Sequence, residues 1–186
     1  MHRLLPRRPI AIILIGLLTL LDGCGPGKDE FAPPCPHADL LWEAADISRY
    51  RDESASASED IRDLVLFGRI IAVPARCEAG DSPTQLSADV GISVQLTRGP
   101  AMQGREADVP FFLAVTEGGR ILDKKVFQTH IVFPANTDQV NLTSQMVHMV
   151  FPINPTKSGA AYTVLAGFQL TEDELAVNRR KGVGHH

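Results

Sequence analysis

Aromatic residues are scarce in this chain, with one tryptophan, two tyrosines and eight phenylalanines among 186 residues. A carbohydrate platform needs several exposed rings, so this supply argues against one, and the lone Trp42 is expected to plug the core. Positive charge is also short. With 18 Lys and Arg against 22 Asp and Glu the net charge is −4, which removes the electrostatic basis for binding nucleic acid. No uncharged apolar run reaches the roughly twenty residues that a membrane-spanning helix needs. Catalytic signatures are missing too. No serine sits in a Gly-x-Ser-x-Gly elbow, and no Ser-x-x-Lys precedes a matching Lys-Thr-Gly. The three cysteines include no Cys-x-x-Cys and no Cys/His pair at metal-ligand spacing. Gly118-Gly119 is followed by no helix whose N-terminus could receive a phosphate. What remains for reactive chemistry is His130 and His148, each inside an expected strand, with the scattered carboxylates Asp89, Asp108 and Asp123. No acid/base pair is legible among them, no cofactor or metal is expected, and the chain is read as a non-enzyme.

What is present is concentrated at the N-terminus. Arg3, Arg7 and Arg8 precede a twelve-residue apolar run, Ile10 to Leu21, which leads into Leu21-Asp22-Gly23-Cys24. A basic start, an apolar segment too short to span a bilayer and a small residue before a cysteine resemble the signal peptide and lipobox of bacterial lipoproteins. The resemblance implies that residues 1–23 are removed, that Cys24 receives a diacylglyceryl group through its nucleophilic thiolate, and that the remainder is held at a membrane by lipid. Asp22 departs from the pattern, where a small or apolar residue is usual. An ordinary signal peptide or an uncleaved anchor, with Cys24 a spare thiol, is the alternative. Gly25 after the cysteine, in place of aspartate, resembles lipoproteins sent to the outer membrane and implies a domain facing the periplasm. Removing residues 1–23, with three Arg and one Asp, takes the net charge from −4 to about −6. Attachment then rests on acyl chains, of which one alone binds only marginally.

With Cys24 given to lipid, Cys35 and Cys77 are the remaining thiols, and an exported compartment is oxidising. A disulfide between them is expected. Residues 24–36 form a Pro/Gly-rich tether whose prolines disfavour helix and sheet. Residues 37–181 form the folded domain and residues 182–186 a frayed tail, in which Gly184-His185-His186 is too short for a metal site.

Period-two alternation dominates the domain. Leu86, Ala88, Val90, Ile92, Val94 and Leu96 share one face of an expected strand, and Val109, Phe111, Leu113 and Val115 share one face of another. Glu117-Gly118-Gly119-Arg120 signals a hairpin, with Ile121 to Phe133 as the returning strand. Further strands are expected over Asp63 to Cys77, apolar on both faces and interrupted near Pro74, over Gln139 to Ile153, and over Ala161 to Leu170. Leu40 to Ile47 reads as a short strand or a helical turn, and Asp52 to Asp60 as a solvated loop. Thr171-Glu172-Asp173-Glu174 is a capping-box signature opening a short helix. About seven strands without intervening helices predict an antiparallel immunoglobulin-like or fibronectin-like sandwich with a short C-terminal helix.

Cys35-Pro36, the later Cys77, Arg98-Gly99-Pro100-Ala101, Gly167-Phe168-Gln169-Leu170-Thr171 and Asn178-Arg179-Arg180 together resemble small uncharacterised bacterial lipoproteins with a lipobox and a β-sandwich ectodomain. That resemblance implies location and topology and carries no catalytic residue. The expectation is a membrane-anchored periplasmic binding or envelope-assembly module with an envelope protein partner. The alternatives are a ligand carrier or enzyme with a loop-assembled site, or a passive structural lipoprotein.

Overall fold

A computed structural model describes residues 34–182; Cys24, the tether through residue 33, and residues 183–186 lie outside the described residues, as do the side chains of residues 53–55. The fold is all-β and sandwich-like. Its strands are β1 (His37–Leu40), β2 (Asp46–Tyr50), β3 (Leu64–Ala72), β4 (Ala75–Ala79), β5 (Gln85–Val90), β6 (Ser93–Arg98), β7 (Glu106–Glu117), β8 (Arg120–Val132), β9 (Gln139–Thr143), β10 (Val147–Pro152) and β11 (Tyr162–Phe168). Two short α-helices are α1 (Glu53–Ser58) and α2 (Glu172–Lys181). One sheet has the order β1-β11-β7-β8, a second β2-β3-β6-β9 and a third β10-β5-β4.

Eleven strands stand where about seven are expected because three long passes break and change sheets and because Leu40 to Ile47 spans the end of β1 and the start of β2. The neighbours are kept across each break: β3, β6 and β9 lie side by side in one sheet, and their continuations β4, β5 and β10 lie side by side in the next. The second and third sheets are therefore two halves of one bent layer. Pro74 cannot donate to a ladder, and a Cβ on Gly91 would meet Met146 Sδ at 2.8 Å. The bend is laced by backbone bonds, Gly91 N–H donating to the Pro74 carbonyl (2.9 Å) and Ser144 N–H to that of Ile92 (2.8 Å). Alternation survives it. Leu86, Ala88, Val90, Ile92, Val94 and Leu96 are all buried, so both halves present one continuous apolar face.

The β1-β11-β7-β8 sheet closes over that face. Val109, Phe111 and Leu113 of β7 and Tyr162, Val164, Ala166 and Phe168 of β11 are buried in the same core as Ile47, Leu66 and Leu96. Gly118 and Gly119 turn the β7–β8 hairpin with φ of +56° and +81°, the left-handed values that a tight two-residue turn requires. Leu40 to Ile47 contains both expected forms, a strand end and a 3₁₀ turn at Trp42–Ala44 leading into β2. Trp42 does not plug the core: it is 51% exposed. It is Ala44 from this turn that packs outside the sheet, against Phe112 and Ala114. Cys35 and Cys77 lie at disulfide distance, with Cα atoms 6.0 Å apart. The staple joins the chain just before β1, in one layer, to β4 in the other.

Helix α2 begins with the expected capping box. Thr171 Oγ1 accepts from Glu174 N–H (3.2 Å), and Glu174 Oε2 accepts from Thr171 N–H (2.9 Å). The other Glu174 oxygen accepts from Arg49 Nε at 3.0 Å, and buried Asn178 donates through Nδ2 to the carbonyls of Glu43 (2.9 Å) and Asp46 (2.7 Å). These bonds seat the helix on β2. Glu174→Ala removes the reciprocal cap and leaves Arg49 without its buried partner, so denaturant unfolding should show a loss of about 2 kcal/mol; an unchanged midpoint would contradict it. Asp52 to Asp60 is not the expected loop throughout, since Glu53–Ser58 is helical. Arg180 holds this segment, donating to Glu59 Oε1 (2.9 Å) and to the Ser56 carbonyl (2.7 Å).

Asp60 caps the 3₁₀ turn at Ile61–Asp63. The Arg62 guanidinium, helped by the Arg62 N–H, holds the Asp60 carboxyl at about 2, below its ordinary 3.8. Because the folded value is the lower one, this cap contributes above the ordinary pKa and fades as pH falls toward 2. A carboxyl-carbon NMR titration should find the Asp60 midpoint near 2; a midpoint at 3.8 would show the pair is not formed.

Candidate functional site

The two histidines singled out in the sequence are each paired with a carboxylate across a strand ladder. His130 of β8 sits opposite Asp108 of β7, Nδ1 to Oδ1 2.9 Å, with Glu106 Oε2 at 4.0 Å from its other nitrogen. His148 of β10 sits opposite Asp89 of β5, Nδ1 to Oδ1 3.0 Å. Such pairs were not legible in the sequence, because 22 residues separate the first partners and 59 the second. Only the register brings them together. All four side chains lie toward solvent, on the faces that alternate with the buried residues. Among the described residues neither pair has a hydroxyl or thiol nucleophile hydrogen-bonded to it, and no group of three or more His, Cys, Asp and Glu could hold a metal.

The larger feature is a cleft along one side of the sandwich. β8 ends the first sheet, and β9 and β10 end the two halves of the bent layer. These terminal strands do not pair with each other, so the sandwich is open between them. One end of the opening, about 300 Å³, is lined by Leu113, Leu122, Met149 and Phe151 together with Asp123 and His148; the other, about 610 Å³, by Phe111, Phe127, Ser144 and Met146 together with His130. The two recesses meet at Val147. Its floor is apolar because β7 and β10 turn their core faces toward it.

The β8 wall is unusual for so long an edge. It runs for 13 residues, nearly all exposed over its first half, and Ile121, Leu122, Val126 and Val132 are exposed apolar side chains. Unpaired backbone N–H and C=O groups in such an edge are a template for another strand. Two charges qualify that template. Asp123 and Lys125 sit opposite Val115 and Leu113, on the inner face at the cleft mouth, and inward charges of this kind are how edge strands avoid indiscriminate pairing. Sequence reading placed Asp123 among reactive candidates; the structure places it at this rim, lining the same recess as His148, with its Oδ1 accepting from Lys124 N–H at 2.8 Å.

No family model, curated protein or solved structure matches the chain.

Proposed function

We propose that this protein is a lipid-anchored lipoprotein of the bacterial envelope whose sandwich is a binding or assembly module, taking an extended segment of a partner protein along the β8 edge. The observation that carries the binding reading is the long exposed edge of β8 beside an apolar cleft. Strand addition satisfies the edge backbone groups, and alternate side chains of the added strand reach the cleft for specificity. The anchor reading is supported by the basic and apolar N-terminus ending in Cys24, and outer-membrane placement by Gly25. The disulfide-distance pair Cys35–Cys77 suits an oxidising compartment.

A photo-crosslinking residue walked along β8, from Ile121 to Ile131 in intact cells, tests the docking mode. Side chains alternate between the two faces of a strand, so a partner strand added beside β8 should give adducts that rise and fall with a period of two. Equal yields at every position, or no discrete adduct, would overturn strand addition.

A further inference from the structure

On the opposite side of the sandwich a second trough runs between the β1 edge and β3–β4. Cys35, Pro36, Ala38, Ala75 and Cys77 line one end; Ala38, Leu40, Trp42, Ile71 and Val73 line the other. Ala38 belongs to both ends, so the trough is continuous from the staple to the tryptophan. Trp42 is 51% exposed and Ile71 54% exposed. The charges here are few: Asp39 and Arg76, and Arg69, whose guanidinium is already engaged by both carboxylate oxygens of Asp46 at 2.8 and 2.7 Å. An amphipathic indole among aliphatic side chains is the composition of a membrane-interface contact.

We propose that the domain lies on the bilayer surface through this β1/β4 side, with Trp42 and Ile71 entering the interface, so that the β8–β10 cleft opens away from the membrane. The inference rests on the lipid-anchor reading. What selects the bilayer as occupant is the chain that leads into the trough. From Cys24 to Pro34 the backbone spans at most about 35 Å when fully extended, while a domain of this size is about 40 Å across. The anchored end therefore stays within one domain width of the lipid, and the residues it reaches first, Cys35 and Pro36, form the trough's near end. A short tether also holds the apolar side chains at high effective concentration beside the membrane, so a modest apolar face suffices. Sheet order supplies the rest. β1 and β8 are the two ends of the same sheet, and β4 and β10 the two ends of the facing one, so seating the β1/β4 side turns the cleft outward.

Trp42 is the only tryptophan in the chain, which makes it its own probe. The full-length protein, purified from membranes and reconstituted into phosphatidylethanolamine/phosphatidylglycerol vesicles containing a brominated lipid, should float with the vesicles and lose at least about half of its tryptophan emission, as an interfacial indole would. The variant Ile71→Asp should still float, with the emission restored. Val126→Asp, on β8, should float and remain quenched. Wild-type protein that floats but is not quenched overturns the seating while leaving the anchor intact. Protein that does not float overturns the anchor and the seating together. A concentration-dependent blue shift without vesicles would show that a second copy covers the face, and would also overturn the proposal.

Discussion

With Cys35 and Cys77 both replaced by serine, the domain is expected to lose about 4 kcal/mol of unfolding free energy, the chain-entropy value for a loop of this length. The separation of 42 residues is long enough to constrain the unfolded chain strongly. The folded consequence is local. β1 has four residues and a single neighbour, β11, to which it is parallel, so without the staple little besides that ladder holds the chain start to the sandwich. Guanidinium denaturation should show the loss, and hydrogen exchange should show β1 amides opening ahead of β3, β6 and β7. A loss below about 1 kcal/mol would mean that no bridge closes this loop.

Cys24→Ser is expected to move the protein from the membrane fraction to unprocessed precursor or soluble export, and to reproduce the phenotype of gene loss. Single alanine substitutions at His130, His148, Asp89, Asp108 and Asp123 are expected to leave that phenotype near wild type. The contrast follows from how the two kinds of site hold their free energy. A binding patch spreads it over several side chains with a few anchors, whereas an acid/base enzyme collapses when one group is removed. Both histidine–aspartate pairs are solvent-exposed at the cleft, which His148 and His130 help to line, with side-chain exposures of 56% for His130 and 60% for His148, and water competes there with any proton transfer they could direct. An alanine variant at one of these positions that is folded, membrane-bound and null in phenotype would put an enzyme ahead of the binding module.

Much of the fold was legible because alternation is local information. The even-numbered residues from Leu86 to Leu96 are buried as their spacing implies, and Gly118-Gly119 and Thr171 to Glu174 form the turn and cap that their side chains favour. The bend was not legible. Its inward face keeps the same parity through Gly91-Ile92, so alternation runs on unbroken while the ladder changes sheets. Trp42 was misplaced because apolarity alone does not say which face is covered, and Ile71 is exposed on a strand that reads as apolar on both sides. The cleft is the most distant from sequence, since β8 and β10 are brought to the same side by sheet order, which no spacing encodes. The Cys24 motif lies outside the described residues, and its reading still rests on residues 1–25 as a sequence.

Intact-mass spectrometry of the protein extracted from membranes with detergent tests the central claim most directly. The expected species begins at Cys24 and carries the added mass of a diacylglyceryl group, with or without a further acyl chain on its amino group. An extracted protein that retains residues 1–23, or that begins elsewhere with an unmodified Cys24, would contradict the lipid-anchored module.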